Sequence, residues 1–120
     1  MIHSISKQTT GNSTGSIGSK IRGKLIAIKA VADSNVTNNW DLVLVGSVTG
    51  VAILTDAAVT NNGTKWWYPR ALANKVADGA AATDAFVQIP LLDEAINFTI
   101  TNAGTTGVIT LTAIFETDEK

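Results

Sequence analysis

The chain has 120 residues, a net charge of −1 and no cysteine. That length suits one core that buries about two-thirds of the unfolded surface, and the missing thiols exclude disulfides, thiolate nucleophiles and cysteine-ligated metals. The near-neutral charge argues against a nucleic-acid binder that works by phosphate neutralisation. No apolar run approaches the roughly 20 residues of a membrane span, and Met1-Ile2-His3-Ser4-Ile5 lacks a secretion leader's basic and apolar regions. The expectation is a soluble chain that engages neither membrane nor nucleic acid. Thr, Ala, Val, Ile and Asn are abundant and Gly stands at breaks, a mix that favours strands and turns over helices.

Residues 6–19 hold a single apolar side chain, Ile17, and are expected to form an extended arm or a long loop, mobile or laid along a neighbouring subunit. All five basic residues of positions 1–30, Lys7, Lys20, Arg22, Lys24 and Lys29, occur there without an acid, a local +5. The other 90 positions hold four of the nine basic residues and all ten acids, a local −6. Such lysines either solubilise a sheet edge or make a charged docking arm.

From Lys20 to Ala32 a β-branched run reads as a long strand bent or bulged at Gly23, with Ile26, Ile28 and Ala30 on one face. Asp33-Ser34-Asn35 and Thr37-Asn38-Asn39 are turn residues, and Trp40, Leu42 and Leu44 then alternate with Asp41, Val43 and Val45 in a strand that puts Trp40 in the core. Gly46–Gly50 turns into a strand over 51–55, and Asn61-Asn62-Gly63-Thr64 is a sharp turn whose flanks are expected to pair antiparallel. Pro69 lacks a ladder donor, so Trp66-Trp67-Tyr68-Pro69-Arg70 belongs at a sheet edge or a corner. Strand alternation gives Trp66 and Tyr68 one face and Trp67 the other. Residues 74–83 read as a connection and 85–91 as a strand. Ile96, Phe98 and Ile100, then Ile109, Leu111, Ala113 and Phe115, alternate on either side of a turn over 103–107 and read as a closing hairpin.

Seven or eight strands without a credible helix define an all-β chain, a two-sheet antiparallel sandwich of jelly-roll type over 20–120 preceded by a polar N-terminal arm over 1–19. An immunoglobulin-like sandwich is the alternative. No catalytic constellation emerges: His3, the one histidine, lies in a terminal segment expected to be mobile, the acids sit beside turn residues, and no calcium or phosphate-loop spacing occurs. The chain is expected to be no enzyme and to need no cofactor or metal. The aromatic cluster fits core packing, a protein interface or sugar stacking.

Asn39-Trp40-Asp41-Leu42-Val43-Leu44, Gly50-Val51-Ala52-Ile53-Leu54-Thr55-Asp56, Tyr68-Pro69-Arg70 and the strands from Ile96 to Phe115 together resemble the small capsid decoration, or cement, proteins of tailed bacteriophages. The resemblance implies a jelly-roll-like sandwich, commonly a homotrimer, made in the host cytoplasm and bound to the major capsid protein on the outer face of the head, with an N-terminal arm reaching over the shell. On that reading Lys7, Lys20, Arg22, Trp66, Trp67, Tyr68 and Arg70 form the protein interface. A carbohydrate-binding module or a tail adhesin is the alternative.

Overall fold

A computed structural model describes residues 1–74 and 81–117, with backbone alone for 71–74 and 81–86. The described residues contain strands and no helix: β1 (Ile2–Thr10), β2 (Ser13–Ala32), β3 (Trp40–Gly46), β4 (Ala52–Val59), β5 (Gly63–Trp67), β6 (Arg70–Asn74), β7 (Ala81–Gln88), β8 (Pro90–Thr101) and β9 (Val108–Glu116). The 20-residue β2 is shared between two layers. Its first part, Ser13–Lys24, pairs with β8, which pairs in turn with β3 and β3 with β4; its second part, Lys24–Ala32, lies between β9 and β5. The first strand pairs with the last and the second with the last but one, the nested order of a rolled β-sandwich. β6 and β7 form a separate two-stranded sheet.

The core is what period-2 alternation produces when two such layers face each other. Trp40, Leu42 and Leu44 of β3 and Ile96, Phe98 and Ile100 of β8 meet Ile28 and Ala30 of β2 and Ile109, Leu111, Ala113 and Phe115 of β9. The transfer of β2 between layers occurs around Gly23, where the sequence expects a bend. Gly23 has φ 149°, and a Cβ there would overlap the Glu116 carbonyl oxygen of the strand that receives it.

Several expectations change in the structure. β2 begins at Ser13 rather than near Lys20, and residues 2–10 form a strand paired with β9. The polar segment expected as an arm or long loop is therefore laddered into the sheet of its own chain. Its polar side chains are accommodated by cross-strand pairs on the outer surface, the Ser6 and Thr112 hydroxyls at 2.8 Å and the Ser16 hydroxyl donating to Asn97 Oδ1 at 2.7 Å. Gly15 lies under the Phe98 ring, where a Cβ would come within 2.9 Å of Cζ. His3 is held in β1 with its ring 5.6 Å from that of Phe115.

Ile26 does not share the face of Ile28, because the register slips between Leu25 and Ala27 and leaves Ile26 as the extra residue of a bulge. The turn at Asn61–Thr64 carries the chain between layers, so β5 pairs with β2 and not with β4. Likewise β8 and β9 are not a hairpin. Both strands exist as read, but β2 lies between them in the sheet order. Of the connection expected over 74–83, residues 75–80 lie outside the described residues, while 74 ends β6 and 81–83 begin β7.

Candidate functional site

Two surface features gather the residues singled out in the sequence, at opposite edges of the layer ordered β1-β9-β2-β5. At the β5 edge, register decides the fate of each tryptophan. Trp67 stands opposite Ile28, a core residue, and is turned inward with it; it is half-buried against the core and its Nε1 donates to Asp56 Oδ2 at 3.0 Å. Trp66 stands opposite Lys29 and is turned outward, with the Lys29 ammonium 5.3 Å from its ring centroid. Tyr68, two residues on, returns to the outer face. The two rings lie parallel within 8°, centroids 6.4 Å apart, and are 41% and 64% exposed. Trp66 and Tyr68 thus form an open aromatic surface beside a cation, whereas Trp67 is a structural residue.

Arg70 completes this corner in another way. Pro69 is buried and ends β5, and the Arg70 guanidinium reaches back so that Nη1 donates to the carbonyls of Pro69 at 2.7 Å and Ile26 at 3.0 Å. The bulge in β2 leaves Ile26 without a ladder partner, and Arg70 supplies one.

At the β1 edge, Lys20 and Arg22 line a cleft of about 600 Å³ with His3, Ile5, Phe115 and Asp93. Arg22 is 3.6 Å from Asp93, both well exposed. Lys7 is exposed on β1, two residues beyond Ile5. The seven residues expected in one interface therefore divide into a basic set on β1 and β2 and an aromatic set around β5.

Among the described residues, three acids are occupied locally. Asp33 Oδ1 accepts from the N–H groups of Asn35 and Val108, Asp56 Oδ1 from that of Ala58, and Asp41 Oδ2 from Thr101 and Asn102 side chains. Among the described residues no group of three or more His, Asp or Glu side chains is placed to hold a metal ion. Among the described residues the buried acid is Glu94, 1% exposed. Its Oε1 accepts from the N–H groups of Val48 and Thr49, both at 3.1 Å, and its Oε2 from that of Leu92 at 3.1 Å, while the Thr49 hydroxyl donates at 3.0 Å. Burial alone pushes this carboxyl up; the N–H groups of Leu92, Thr49 and Val48 and the Thr49 hydroxyl outweigh it and hold the group below its ordinary value of 4.5. A Cβ on Gly46 would collide with Oε1, so the turn over 46–50 is shaped around the carboxylate. The sequence groups Glu94 with the acids beside turn residues, whereas it lies within β8 and holds the turn over 46–50 from there, and nothing in the sequence signals that it is buried. Lys29 as the partner of Trp66 was not singled out either, since its role depends on the β2–β5 register.

No protein-family model matches the chain, and no curated protein matches it. Solved structures do share its fold. A chain in the acidic stable capsid structure of Helicobacter pylori bacteriophage KHP30 superposes with a TM-score of 0.61 over 98% of this chain and 89% of that one, at 8% identity. A chain in the cyanophage Pam1 capsid asymmetric unit superposes with a TM-score of 0.51 over 96% of this chain and 82% of the other, at 12% identity. At these identities the likeness establishes a fold that also occurs in phage capsid chains.

Proposed function

We propose that this chain is a non-enzymatic virion structural protein, a decoration protein that binds the outer surface of a phage head through the major capsid protein and stabilises the shell. The observation that carries the reading is the likeness over nearly the full chain to chains in two phage capsid structures. Supporting it, Asp33, Asp56 and Glu94 are engaged in holding turns, and the exposed features are of the kind that contact protein: an aromatic pair beside a lysine and a basic sheet edge. Symmetric self-association, with a homotrimer as the expected state, multiplies modest contacts into firm attachment. Light scattering coupled to size exclusion tests the assembly: a stable trimer supports it, and a monomer at every concentration contradicts it. Co-sedimentation with phage heads tests the attachment.

The parallel, exposed Trp66 and Tyr68 rings favour one further reading, a sugar-binding surface on a tail or adhesin-type component. Saturable binding on a glycan array that Trp66→Ala abolishes supports that reading, and the absence of binding removes it. Trp67 is the wrong residue for this test, because its indole is tied to Asp56.

A further inference from the structure

Residues His3, Ile5 and Lys7 of β1 stand opposite Phe115, Ala113 and Leu111 of β9, three buried side chains. By strand alternation the β1 trio therefore lies on the inner face of its layer. Lys7 is exposed there, and His3 and Ile5 are only partly covered. His3 and Ile5 line a cleft of about 600 Å³ together with Lys20 and Arg22 of β2. Ile5, Ile21 and Phe115 are its apolar lining residues, and Asp93 is the one acid among them all. Among the described residues β1 pairs with β9 alone, so its other edge presents free backbone N–H and C=O groups.

We propose that the free edge of β1 takes up an extended, acidic segment of a partner protein as an added strand. A strand laid beside β1 at about 4.8 Å continues the layer and sends every second side chain to the same side as His3 and Ile5, into the cleft. Acidic side chains there meet Lys20 and Arg22. A second copy of β1 is disfavoured as occupant, because its own Lys7 would be placed among these cations, the inward-pointing charge that keeps sheet edges from pairing with themselves. The identity of the protein supplying the segment rests on the proposed function above; the chemistry of the segment does not.

The test uses the full chain and three blocked hexapeptides, measured by fluorescence anisotropy: one alternating glutamate and valine, one alternating lysine and valine, and the glutamate–valine peptide N-methylated at alternate amides. The glutamate–valine peptide is expected to bind saturably, the lysine–valine peptide not to bind, and the N-methylated peptide to bind at least about tenfold more weakly, because it cannot complete the ladder. Lys20→Glu with Arg22→Glu, at exposed positions that leave the fold intact by circular dichroism, is expected to weaken binding by at least about tenfold. No binding of the glutamate–valine peptide at about 1 mM, equal binding of the lysine peptide, or indifference to the double substitution or to N-methylation overturns the proposal. Peptide binding without attachment to heads refutes the decoration reading and leaves this inference standing; attachment without peptide binding does the reverse.

Discussion

Replacing Glu94 by glutamine keeps the volume of the side chain and removes its charge, which isolates what the buried carboxylate does. Four donors converge on it: the N–H groups of Val48, Thr49 and Leu92 and the Thr49 hydroxyl. The amide retains one acceptor for Val48 and Thr49 but turns an NH2 toward the Leu92 N–H, so one charge-assisted bond becomes a clash of donors and the others lose their charge assistance. The lost bond costs about 1.5–3 kcal/mol and the weakening of the rest about 1 kcal/mol, so E94Q is expected to lose about 3 kcal/mol. For a domain of this size that is a fall in Tm of roughly 10–15 °C. Urea denaturation of both proteins across pH provides the sharper assay. The folded carboxyl is held below 4.5, so its contribution is complete above that pH and is lost as pH falls through the folded value. The stability gap between wild type and E94Q is therefore widest at neutral pH and narrows below 4.5. A gap that persists undiminished into strong acid, or no gap at neutral pH, refutes the reasoning.

Gly23→Ala sets a Cβ against the Glu116 carbonyl at the point where β2 changes layer, in a backbone conformation that suits glycine; a loss of about 3 kcal/mol is expected by chemical denaturation. Trp67→Phe keeps an aromatic ring against the core and removes the bond to Asp56, costing about 1–2 kcal/mol by the same method. Trp66→Ala removes an exposed ring and its contact with Lys29, so stability falls by no more than about 1 kcal/mol, while binding to heads weakens by at least about tenfold in co-sedimentation.

Faces were legible in the sequence, and neighbours were not. Trp40, Leu42 and Leu44 alternate in the chain as they do in the core, and the patterns over 96–101 and 109–115 mark real strands. A period of two states which side a residue takes, yet it is equally compatible with any partner strand, so the short turn between β8 and β9 suggested a hairpin that β2 interrupts. β2 itself was hidden in its first third, because Ser13–Ser19 supplies Ile17 alone to the core and is held by ladder bonds and polar cross-strand pairs. The bend at Gly23 could be read from a glycine in a β-branched run, whereas the bulge that removes Ile26 from the face of Ile28 is imposed by Phe115 and Ile114 across the ladder. For the candidate site, alternation separated Trp66 and Tyr68 from Trp67, but which face met the core was settled by the pairing of Trp67 with Ile28. The division of the basic and aromatic residues between two edges follows from a sheet order that no local pattern encodes.

Decoration of a phage head is the central claim, and it is tested most directly by adding the purified chain to phage heads prepared without it and sedimenting the mixture. The account predicts saturable co-sedimentation at a copy number set by the symmetry of the shell, together with greater resistance of the heads to heat. Heads that sediment without the chain at saturating concentration contradict it.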